Sequence, residues 1–99
     1  MPKRKIKLTK WDSASHLKTE KDIAEYLEVV FEEYGDDPAF IAKALGVAAK
    51  ARGMTKIARS SGISREGLYK ALGNDGNPEF STILKVLDAL GFRLQIARV

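Results

Sequence analysis

The residues whose types and spacing offer the clearest chemistry lie between Met54 and Gly73, in the stretch MTKIARSSGISREGLYKALG. Ala58 is small, Gly62 follows it by four residues, and Leu68 is a further aliphatic position. That spacing suits two short helices that cross closely at a small residue and turn at one tolerant of positive φ. Ile63 and Leu68 then bury the second helix against the first. A pair of this kind lays its second helix in the major groove of duplex DNA, with the residues near its N-terminus at base edges. Those residues are Ser64, Arg65 and Glu66, then Tyr69 and Lys70 one turn on. Arg65 carries the planar fork that bonds guanine O6 and N7 together. Glu66 accepts from cytosine N4, orders Arg65, or is simply a first-turn acid favoured by the helix dipole. Tyr69 either stacks on the sugar–phosphate edge or sits half in the core. Thr55 and the backbone N–H groups after it are placed to meet a phosphate at a helix N-terminus. Lys56, Arg59 and Lys70 are further phosphate candidates, and Gly67 gives the backbone close approach or merely packs. An ordinary helical corner is the plainer alternative, but it leaves the basic surroundings as coincidence.

Other chemistries lack parts. The chain has no cysteine, so disulfides, thiolate metal sites and a Cys nucleophile are excluded. His16 is the single histidine, in a Ser-rich stretch, and is expected on the surface. The carboxylates of residues 20–37 fall on an exposed helix face, where burial does not tune them. Ser60-Ser61 has no base beside it. Asn74-Asp75-Gly76-Asn77 lacks the alternating ligands and final Glu of a calcium loop. Neither an enzyme nor a cofactor is expected.

Charge is segregated along the 99 residues. The net charge of +4 conceals segments of +5 (residues 1–19), −7 (20–37), +6 (38–72) and 0 (73–99). The third holds seven bases against the single acid Glu66. Blocks of one sign mark faces for different partners or are only solvated. No apolar stretch is long enough to span a bilayer. No apolar region follows the basic N-terminus, so a cytoplasmic location is expected.

The elements that must position these residues are helices. Thr19-Glu20-Lys21-Asp22 reads as a capping box. Ile23, Tyr26, Leu27, Val30, Phe31 and Tyr34 follow as one apolar stripe, and Gly35 ends that helix in the permissive position. Asp37-Pro38 opens a second helix with the stripe Ile41, Ala44, Leu45, Ala48 and Ala51, ended by Gly53. Thr55 caps a third, with Ile57 and Ala58 inward. Ser64 caps a fourth, Arg65 to Leu72. After the loop at 73–78, a fifth runs from about Ser81 to Leu90, with the stripe Ile83, Leu84, Leu87 and Leu90. Phe92, Leu94 and Ile96 alternate with polar or small residues, as do Ile6 and Leu8, which predicts short terminal strands paired within the chain or across a dimer. Trp11 is expected as a packing anchor. The expected fold is all-α: one domain over 1–99, with a basic arm (1–18), an acidic helix (19–35), a helical core (38–91) and a C-terminal strand (92–99).

From Ala48 to Gly91 the chain resembles the addiction-module antidote proteins, a branch of the lambda-repressor-like (Xre) helix-turn-helix group. The resemblance rests on Ala51-Arg52-Gly53-Met54, on the run Gly62 to Leu72 (GISREGLYKAL), on Gly76-Asn77-Pro78-Glu79-Phe80, and on Leu84 to Gly91 (LKVLDALG). The acidic helix before them is similar to the family's N-terminal part. The basic arm at residues 3–10 is the least typical segment. The resemblance implies an antitoxin that binds a RelE-like ribonuclease toxin and represses its own operon as a homodimer on operator DNA. An RNA-cleaving toxin needs a basic groove, so Glu25, Glu28, Glu32 and Glu33 are expected to face it, mimicking the charge of RNA. A solvated helix face is the alternative, and a terminal strand added to the toxin's sheet is another contact. The competing reading of the whole chain is a phage-type or host transcriptional regulator with no toxin partner. A third is an interaction module whose helix pair no longer binds DNA.

Overall fold

The computed structural model describes residues 16–99. The basic arm up to residue 15, the predicted strand at Ile6 and Leu8, and Trp11 lie outside the described residues. Those residues form five α-helices: α1 (Glu20–Tyr34), α2 (Pro38–Arg52), α3 (Met54–Ser61), α4 (Arg65–Ala71) and α5 (Phe80–Leu90).

Local chemistry starts and stops them. The Asp22 backbone N–H donates to the Thr19 hydroxyl at 3.0 Å, and the Thr19 N–H donates back to the Asp22 carboxylate at 3.0 Å. This is the expected capping box, which satisfies donors that helix geometry leaves free. Asp37 caps α2 by accepting from the Phe40 N–H at 3.1 Å, with Pro38 at the first position. Gly35 does not take the left-handed form the sequence suggested. Its φ is −63°, because Asp37 captures the chain at once and the Asp37 N–H reaches the Tyr34 carbonyl at 3.0 Å in a right-handed turn.

α2 is the hub. It packs against α1, α3, α4 and α5. One stripe does not suffice for that position, and Ala42, Val47 and Ala49 are buried together with the expected Ile41, Ala44, Leu45 and Ala48. A helix apolar on several faces belongs inside a core. Gly46 permits its approach to the end of α4: a Cβ there would meet the Leu72 carbonyl oxygen at 3.0 Å. Leu17, Ile23, Tyr26, Leu27 and Val30 close the core from one side, and Ile57, Leu68, Val86, Leu87 and Leu90 from the other.

Three further expectations are corrected. Thr55 is the second residue of α3 and not its cap. Met54 is buried and draws the helix start forward, so the cap is Gly53, with no side-chain cap bond. In α5, Leu84 is exposed and Val86 is fully buried. The inward rows are therefore Ile83, Val86, Leu87 and Leu90, the helical steps back from Leu90. Residues 92–99 form no strand. Instead Gly91, at φ +90°, closes α5 with paired bonds: its own N–H to the Asp88 carbonyl at 3.0 Å and the Phe92 N–H to the Leu87 carbonyl at 2.8 Å. That double cap turns Phe92 onto the core. Beyond it no described strand offers an edge, so alternation alone makes no ladder.

Candidate nucleic-acid interface

α3 and α4 meet at Gly62, whose φ of +75° is the left-handed conformation the spacing required. The Gly62 N–H donates to the Ala58 carbonyl at 3.0 Å. The Ser61 hydroxyl holds the turn by accepting from the Ile63 N–H at 3.2 Å. Ser64 caps α4 by accepting from the Gly67 N–H at 2.9 Å. Inward, Leu68 is fully buried and Ile63 packs on the core. Outward, Ser64, Arg65, Glu66, Tyr69 and Lys70 are all exposed, as are Thr55, Lys56 and Arg59 on α3. Burying one apolar row of a helix fixes which rows face solvent.

Tyr69 is 44% exposed, half covered and half open to solvent. The Arg65 guanidinium carbon lies 5.6 Å from the Tyr69 ring centroid, and an Arg65 Nη donates to the Tyr69 hydroxyl at 3.5 Å. Arg65 is therefore held by Tyr69 and not by Glu66. Lys50, on α2, completes the cluster with its Nζ 6.0 Å from the same centroid. Sequence reasoning placed Lys50 in the basic block but not in the site, because only the packing of α2 on α4 brings it there.

Arg52, another base of the block, is committed elsewhere. Its guanidinium pairs with Glu20 at 2.5 Å and donates to the Leu90 carbonyl at 3.2 Å, joining α1, α2 and α5. Its side chain is 20% exposed, and its Nε is buried without a partner.

A second surface lies on α1. Glu25, Glu28 and Glu32 are exposed, whereas Glu33 is half-buried. Glu28 also borders a hollow of about 390 Å³ whose apolar lining includes Leu27, Phe31, Leu87 and Phe92. Phe31 and Leu94 continue it into a larger one of about 660 Å³ beside Ile41, Ile83 and Phe80. Among the described residues no group of three or more metal-ligating side chains is assembled, and no helix is long and apolar enough to cross a membrane.

These features define a small all-helical protein with a basic exposed face on one helix pair and an acidic face on another helix. The chain belongs to the family whose model, described as "Probable addiction module antidote protein", matches residues 7–98. It is 48% identical over 89 residues, 90% of each chain, to a Haemophilus influenzae protein that bears the name "Uncharacterized protein". No solved structure matches it. An antidote implies a toxin as partner.

Proposed function

We propose that the chain is a DNA-binding antitoxin: it represses its own operon as a two-fold dimer and neutralises a RelE-like ribonuclease toxin. The observation that carries the DNA arm is α4, capped by Ser64 and anchored by Leu68, with Arg65, Glu66, Tyr69 and Lys70 all on its exposed side. This helix enters the major groove, Arg65 reads guanine, and Lys56, Arg59 and Lys70 hold phosphates with Thr55. Half-sites lie about 34 Å apart, or a multiple of that. The test is binding to the DNA upstream of the chain's own gene across a salt series. Arg65→Ala costs about 1–3 kcal/mol at the specific site. Lys56→Ala weakens all sequences alike and reduces the salt slope by about one. Undiminished specific binding by the Arg65 variant overturns direct readout.

The toxin arm rests on the exposed carboxylates of α1. Glu25, Glu28 and Glu32 steer a basic partner, with Glu33 at the margin. Reversing these charges slows association with the protein encoded by a neighbouring reading frame. An unchanged association rate for the reversed variant removes this arm and leaves the regulator without a toxin.

A further inference from the structure

Arg65 and Tyr69 touch each other within the chain itself. Arg65 is the first residue of α4, and Tyr69 lies one turn on, on the same side of the helix. The guanidinium rests against the ring at 5.6 Å from its centroid, within the range of cation–π attraction, and also donates to the ring's own hydroxyl at 3.5 Å. Lys50 approaches the ring from another helix, at 6.0 Å. Two cations near one ring repel each other, and the attraction of each to the electron-rich ring offsets part of that repulsion. Leu68 anchors α4 in the core at 0% exposure, whereas Tyr69 is 44% exposed. Its visible work is on the two cations.

We propose that Tyr69 is a positioning residue for sequence readout: it holds the Arg65 guanidinium in one orientation before guanine is met, and Lys50 fixes the ring from α2. This rests on the DNA-binding reading above. An unrestrained arginine must give up side-chain freedom when it makes its paired bonds, and that loss subtracts from affinity. An arginine already resting on a ring has lost part of it beforehand. The gain falls on sites that present guanine to Arg65 and not on phosphate contacts, so Tyr69 governs specificity and not general affinity.

The experiment is a double-mutant cycle on the full chain. The probes are a fluorescent duplex from the DNA immediately upstream of the gene and a scrambled duplex of equal length. Tyr69→Ala weakens binding to the upstream duplex by about tenfold and leaves the scrambled one unchanged. Tyr69→Phe, which keeps the ring and loses only the hydroxyl contact, stays within about threefold of the parent. In an Arg65→Ala background, Tyr69→Ala brings no further loss. In the free protein, Tyr69→Ala moves the Arg65 side-chain N–H resonance while the amides of α2 and α5 stay in place. Additive losses overturn the proposal, as does an equal loss on both duplexes or an unmoved Arg65 resonance. A parent that does not distinguish the duplexes overturns the DNA reading along with it. A parent that does, with a Tyr69→Ala variant that matches it, overturns only the role of Tyr69.

Discussion

Asp22 accepts hydrogen bonds from the backbone N–H groups of Thr19 and Lys18, each at 3.0 Å, and these hold its carboxyl below the usual carboxylate value. The Thr19 and Lys18 bonds are the main causes; the Thr19 side chain and Lys21 add to them. A folded value below the unfolded one means stabilisation that is complete above the ordinary carboxylate value. It is lost as pH falls through the lower, folded value. Asp22→Asn keeps an acceptor oxygen and removes the titration. The advantage in thermal midpoint of the parent over Asp22→Asn should therefore be constant near neutrality and shrink below about pH 4. A pH-independent difference would show that the charged cap contributes nothing. At this scale, what was legible in the sequence was local. The caps at Thr19, Asp37 and Ser64 each depend on a partner three residues away. The Lys50–Tyr69–Arg65 cluster and the Arg52 junction span distant positions, and no spacing rule connects them.

At the scale of elements, the junction of α3 with α4 depends on backbone conformation more than on contact. Nothing lies within 4 Å of where a Gly62 Cβ would stand, yet φ is +75°. Gly62→Ala should therefore cost only the left-handed strain, about 1–2 kcal/mol in urea unfolding. Ser64→Ala should cost about 1 kcal/mol through the lost cap of α4. A Gly62→Ala variant as stable as the parent would mean that the turn relaxes to another form. All five helices were readable from caps and apolar spacing. The errors lie where long-range burial decided. Met54 is drawn into the core and starts α3 a residue before Thr55, and Val86 replaces Leu84 because the row is set from Leu90. The alternation at Phe92, Leu94 and Ile96 has the period of a strand, but pairing requires an edge, and periodicity carries no information about one.

The whole molecule sets an acidic helix and a basic helix pair against one central helix. Beyond about 8 Å at physiological salt, exposed charges are largely screened from one another. The candidate basic face was legible in outline because burying Leu68 dictates which side of α4 is open. The hollows beside Phe31 and Leu94 were not, because they arise only where α1, α5 and the chain's end converge. α2 has a further consequence, for how the molecule opens. Four helices lean on it, whereas α1 leans mainly on α2 alone. Amide protons of Ala44, Leu45 and Ala48 should exchange with solvent only when the entire chain unfolds. Those in the middle of α1 should exchange sooner, through a partial opening that leaves α2 to α5 standing. Equal protection in the two helices would refute this. If it holds, the acidic segment can unfasten and refasten on a partner while the helices beneath Arg65 keep their shape.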